Sequence, residues 1–173
     1  PELEYAFKHP LTQEVAQGSQ LRERRAHVHA AVAKALEELH GEKLDEKAGL
    51  LAHHWEEAGE PMAAARWHLR AARWTGARDV EATVSHMEAA LRLVDLVPES
   101  GESLRLGVET RAQLLGYAAR SRRVVEQYEK LSREGEEAAR RLGDERARAL
   151  LIQGRVYGAL MLTRPRGHEA ALA

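Results

Sequence analysis

From Ser19 onward, apolar residues return every three or four positions, and each such stretch is bounded by residues that stop or start helices. Leu21, the aliphatic stem of Arg25, Val28, Val32, Ala35 and Leu39 form one stripe, with Gly41 placed to end it. Leu44, Ala48, Leu51, Trp55 and Ala58 form the next, closed by Gly59. Glu60-Pro61 then sets proline at the first position of a third helix, where its missing N–H costs little. That helix, about 61–75, carries two stripes, one through Met62 and Leu69 and one through Trp67 and Trp74, so it is expected between two neighbours. Asp79 caps a fourth helix through Val84 and Leu91, ended by Pro98, and Ser100–Ser103 is a loop with further capping residues. Leu104 to Ala119 and Val124 to Leu142 give a fifth and a sixth, and Gly143-Asp144 supplies a stop and the next cap side by side. A seventh runs over about 145–162, and His168 to Ala173 reads as the opening turns of an eighth. Breaks this short make consecutive helices antiparallel.

Composition closes off the main competitor. The chain holds 30 Ala and 23 Leu against 11 Val, 5 Thr, 1 Ile and 1 Phe, which starves a β-sheet of the residues that pack on its pleated surface. One segment departs from the helical pattern: Leu3 to Lys8 alternates apolar and polar residues with period two, as a strand does. Lys and Arg number 26 against 27 Asp and Glu, a formal charge of −1, which leaves no electrostatic footprint for nucleic acid or an anionic membrane surface. No apolar run approaches the ~20 residues that span a bilayer. Zero cysteines remove disulfides, thiolate metal sites and cysteine nucleophiles. A cytoplasmic chain is the expectation, and a start at Pro1 reads as a piece of something longer.

Helix pairs of roughly 34 residues match the tetratricopeptide repeat, in which small residues sit where helices cross closely and large ones fill the space beside them. Ala52, Trp55, Gly59, Ala64, His68, Ala71 and Gly76 fall at the intervals of that pattern, with His68 where an aromatic is usual and Gly76 where proline is. The expected fold is therefore all-α, a tetratricopeptide-like superhelix: a right-handed solenoid of antiparallel helix pairs. A generic alanine-rich bundle would match some of these positions and stays open as the alternative.

A second resemblance lies further toward the N-terminus. Phe7-Lys-His-Pro-Leu-Thr-Gln-Glu-Val-Ala16, Leu21-Arg-Glu-Arg-Arg25, Leu51-Ala-His-His-Trp55 and Glu57-Ala-Gly59 occur in order and closely spaced. They resemble the junction in bacterial signal-transduction ATPases, in which a P-loop ATPase with a winged-helix module leads into tetratricopeptide-like repeats, often behind a class III cyclase or a DNA-binding domain. Gln17 stands where that family's block usually has tyrosine. The resemblance divides the chain into 1–42, the end of the winged-helix module with a connecting helix, and 43–173, the repeats. It also implies a role for His9: in related ATPases a winged-helix histidine contacts the phosphates of bound ADP, and Lys8-His9-Pro10-Leu11 resembles that position. No Gly-rich phosphate loop followed by Lys-Ser/Thr is present, so the family's ATPase and cyclase chemistry would lie outside these residues.

Other candidates reduce to structure. His53 and His54 are adjacent on a helix and point about 100° apart, so they cannot share an ion; His53 is instead expected to pair with Glu57 at i,i+4. No metal and no cofactor is expected. Arg22, Arg24 and Arg25, and again Arg120, Arg122 and Arg123, are the densest basic clusters and read as solvated faces. No nucleophile with its base stands out, so no enzyme is expected in this chain. Near the C-terminus Leu151, Val156, Tyr157, Leu160 and Met161 have nothing following to cover them, which gives an expected self-association surface and a homodimer through that end. The expected function is a non-catalytic module that binds a protein partner or other domains of its own chain. The alternative is the effector-sensing helical domain of a transcription regulator.

Overall fold

The structure, a computed structural model, describes residues 22–39 and 43–163. Among these residues are seven helices: α1 Arg22–Leu39, α2 Ala48–Glu57, α3 Pro61–Thr75, α4 Val80–Val94, α5 Gly101–Gly116, α6 Arg122–Leu142 and α7 Glu145–Thr163. No strand occurs among the described residues. The fold class is all-α. The strand-like stretch 3–8, His9, Gly41 and the turn and eighth helix expected over 164–173 lie outside the described residues.

Each helix packs against the next, and α5 packs additionally on α7. From α2 on, the connections are two to six residues long, which sets neighbours antiparallel. Local chemistry places the ends. Pro61 opens α3 at its first position. The Asp79 carboxylate accepts from the Ala82 N–H at 2.9 Å, and Ser100 and Ser103 form a reciprocal capping box at the start of α5. Gly143 ends α6 at φ +65, a left-handed conformation that an L side chain resists, and Asp144 at once accepts from the N–H of Arg146 (2.9 Å) and Ala147 (3.3 Å).

A continuous core runs from α3 to α7 through Leu69, Val84, Met87, Val108, Leu115, Leu131 and Leu151. Each such side chain contributes about 1.5–3 kcal/mol when taken out of water. At the other end Ala33, Ala48, Leu51 and Ala52 are buried in a smaller contact between α1 and α2.

Four expectations need correction. The stripe on α1 does not face the array: Val28 is 49% and Leu39 78% exposed, while Ala33 is buried and His29, Ala30 and Glu37 are partly covered. The reason lies in α2 and α3, whose facing side chains include His54, Trp55 and Trp67; their N–H groups need acceptors, and the polar-alanine face of α1 supplies them. Helix α2 begins at Ala48, after a turn over 43–47, and α5 begins at Gly101 because Ser100 rather than Ser103 is its cap. Finally, Leu151 is fully buried, its methyls lodged in the space that Gly135 leaves open on α6.

Candidate functional surfaces

The residues at repeat spacing form the junction of α2, α3 and α4. Ala52, Ala64 and Ala71 are buried where the helices cross, and Gly59 turns the chain between α2 and α3 at φ +76. Trp55 is partly buried and donates its indole N–H to Glu37 Oε1 at 2.8 Å; the Trp67 indole donates to the same oxygen at 3.0 Å. One carboxylate on α1 thereby holds aromatic residues of two further helices.

His68 sits at the centre of a second polar set. Its Nδ1 lies 3.0 Å from Nδ1 of His86 on α4, and its Nε2 lies 3.4 Å from Glu56 Oε2 on α2, whose other oxygen accepts from Arg92 at 2.7 Å. A matching pair joins α1 to α2, with His29 Nδ1 and His54 Nδ1 2.9 Å apart. In each pair one ring must present an N–H and the other a lone pair, so at least one imidazole is neutral. Burial lowers the proton affinity of His54, His68 and His86; the Glu56 carboxylate opposes this at His68, and the neighbouring rings His29 and His53 reinforce it at His54. Burial pushes the Glu56 carboxyl up, but the hydrogen bonds from Arg92 and His68 outweigh it and leave that group below its usual range. The ring of His53 stands 5.9 Å from His29 and 5.5 Å from His54, and the expected contact with Glu57 is not formed. No group of three or more metal-ligating side chains among the described residues is arranged to hold an ion. These groups satisfy one another across helix boundaries, as interhelix ties do.

The second surface is α7. Val156 is 62% and Leu160 52% exposed, Tyr157 and Ile152 are exposed beside them, and Met161 is half-buried. The helix is fixed from behind. A Cβ added at Gly154 would stand 2.1 Å from the Ala112 carbonyl oxygen, and one at Gly158 would stand 2.3 Å from that of Leu115, so α7 meets α5 backbone to backbone. From α6, the Tyr128 hydroxyl donates to the Arg155 carbonyl at 2.5 Å.

Of the two basic clusters, Arg122 and Arg123 are paired with acids, while Arg22, Arg24 and Arg120 are exposed. Arg123 reaches from α6 to Glu81 (2.9 Å) and Glu88 (3.2 Å) of α4, and Arg122 pairs with Glu126 at 2.9 Å. No described helix is long and apolar enough to cross a membrane. The spacing pattern brought out His68 and Trp55 but not their partners His86 and Glu37, which lie 18 residues away in each case, nor Arg111, a buried arginine inside α5. Only an arginine within an otherwise apolar helical stripe could have flagged the last. Comparisons with protein-family models, with curated proteins and with solved structures return no significant match for this chain.

Proposed function

We propose that this chain is a non-catalytic interaction and regulatory module, built as a tetratricopeptide-like right-handed superhelix, of a multidomain cytoplasmic signalling ATPase of the cyclase-linked kind. Its partner is a protein surface: another protein, other domains of the parent chain, or a second copy of the same helix. The observation that carries this reading is the uncovered apolar row on α7, Ile152, Val156, Tyr157 and Leu160, on a helix clamped to α5 and α6 from behind. A contiguous exposed apolar patch of this sort on a firmly held element marks a protein contact. Three further observations support it. Helix α5 packs on both α6 and α7, as the first helix of one pair packs on the first of the next. The small residues Ala52, Ala64 and Ala71 stand at the crossings. The ionisable groups of the interior are taken up by one another. The parent-chain assignment rests on the ordered blocks between Phe7 and Gly59.

Sedimentation equilibrium at micromolar concentration tests the reading. The wild-type chain is expected to associate, and Tyr157→Glu with Leu160→Glu is expected to leave a monomer with an unchanged far-UV circular dichroism spectrum. A wild-type monomer whose mass and solubility the two substitutions leave unaltered rules out a second copy of the chain as the partner and refutes self-association through α7. The effector-sensing alternative, a helical sensor of a transcription regulator, draws on a different observation: a cavity of about 570 Å³ between the end of α4, α5 and α6.

A further inference from the structure

Among the described residues, Arg111 is the only buried arginine. Its side chain is 8% exposed and threads between α5 and α6 through space left by two glycines: a Cβ at Gly107 would meet Arg111 Nη1 at 3.0 Å, and a Cβ at Gly135 would meet Arg111 Cδ at 3.5 Å. The guanidinium lines the cavity between α4, α5 and α6. Its volume of about 570 Å³ falls within the range of small-molecule sites. A guanidinium offers five N–H donors. Here one is directed to the Gly107 carbonyl (3.3 Å) and one to Glu134 (3.2 Å), while the buried Nε has no acceptor. An arginine this far from water and this incompletely bonded is a costly structural device.

The surrounding charges say what would complete it. Asp95 Oδ1 lies 3.7 Å from Arg111 Nη2, beyond hydrogen-bond length, and the Asp95 side chain is 63% exposed. Across the cavity Arg141 is taken up by Glu99 at 2.5 Å and Glu137 at 3.7 Å. The lining sets Asp95, Glu99, Glu134 and Glu137 against Arg111, Arg133 and Arg141, so a simple anion meets carboxylates and a simple cation meets guanidinium groups. A molecule carrying both charges on one carbon meets each with its opposite, because the anion and cation it must address stand within 4 Å of one another. Beside them Val94, Val97, Leu104 and Ala138 line an apolar wall.

We propose that the α4–α5–α6 cavity is a binding site for a free α-amino acid with an aliphatic side chain, its carboxylate on Arg111, its ammonium on Asp95, and its side chain against Val94, Val97 and Leu104. The contact to the carboxylate falls to the two Nη groups of Arg111, since Nε is enclosed, and the apolar wall selects the side chain. The site gives the effector-sensing alternative its ligand chemistry and does not depend on the association reading, since α7 contributes nothing to it.

The test is titration of the ¹⁵N-labelled chain with L-leucine, following the Gly107 amide, against 4-methylpentanoate, which lacks the ammonium, and isopentylamine, which lacks the carboxylate. L-leucine is expected to give a saturable shift, each singly charged analogue to bind at least about tenfold more weakly, a loss of one paired charge. Asp95→Asn, at an exposed position, is expected to weaken L-leucine by a similar factor and not to weaken 4-methylpentanoate, whose carboxylate then no longer meets the Asp95 charge. Arg111→Lys is expected to abolish the shift, with folding checked by circular dichroism. The proposal is overturned by the absence of a saturable shift at millimolar L-leucine, by equal binding of the three compounds, or by undiminished binding to Asp95→Asn. Tyr157→Glu with Leu160→Glu is expected to bind L-leucine as the wild type does, so failure of the association reading and failure of this site are separate results.

Discussion

Replacing Gly154 by alanine puts a methyl group where the structure has a carbonyl oxygen. The added Cβ would lie 2.1 Å from the Ala112 oxygen and 2.8 Å from its carbon. A carbon–oxygen approach is ordinarily no closer than about 3.3 Å, so α5 and α7 must part by about 1 Å at the point where they touch. Both atoms belong to helix backbones, and no flexible side chain can give way. Overpacking of this kind destabilises by about 1–3 kcal/mol, while alanine's better helix propensity returns about 1 kcal/mol. Gly116 provides the control: a Cβ there meets only the Tyr157 ring, at an ordinary 3.8 Å, so Gly116→Ala keeps the propensity gain without the clash. The two alanine variants are therefore expected to differ by about 2 kcal/mol in favour of Gly116→Ala, or about 4–8 °C in Tm for a chain of this size. Urea unfolding followed by far-UV circular dichroism measures it, and a common slope for the two variants licenses the comparison. If Gly154→Ala unfolds at the same urea concentration as Gly116→Ala, α7 does not lie against the α5 backbone and the exposed row of α7 loses its frame.

Acid should loosen the first four helices. His54, His68 and His86 have folded proton affinities below the ordinary value of 6.5, so the unfolded chain binds more protons as pH falls through 6.5; stability is full above that value and drops below it. All three tryptophans lie in α2 and α3, so urea midpoints read by fluorescence are expected to fall between about pH 7 and pH 5, and a flat profile would contradict the histidine pairings. Glu37→Leu leaves the indoles of Trp55 and Trp67 without their acceptor and is expected to destabilise by about 1–2 kcal/mol, whereas Glu37→Gln keeps an oxygen in place and recovers most of it. Equal urea midpoints for the two variants would show that the shared oxygen does not hold α1 to the array.

Helix α3 was fully legible because both its ends are written in residues with few alternatives: Pro61 fits only the first turn, and Gly76 takes a φ of +51. Its two apolar stripes correctly placed it between neighbours, since α3 packs on both α2 and α4. Helix α1 shows where the same method stops. Periodicity reports that Val28, Val32 and Leu39 share a face; it cannot report whether the neighbouring helix offers that face apolar atoms or N–H groups in need of acceptors. Here the second demand prevailed, because leaving the two partly buried indoles of Trp55 and Trp67 unpaired destabilises by about 1–2 kcal/mol, comparable with what covering a valine gains.

The polar sites were hidden for a related reason. A pair such as His68 and His86 is defined by two helices meeting at one level, 18 residues apart in the chain, and no local spacing encodes that level. Arg111 is harder still, because what makes room for it is the absence of side chains at Gly107 and Gly135 on two different helices. In the sequence Gly135 looks like a weakness in the middle of α6. In the fold it is a hole shared by Leu151 and Arg111, one apolar and one charged, and that division separates the two halves of the chain's surface chemistry. Leu151 seats α7 with its apolar row facing outward. Arg111 lines the charged cavity between α4, α5 and α6. A single small residue thus makes room both for the leucine that seats the exposed row of α7 and for the buried arginine of the α4–α5–α6 cavity.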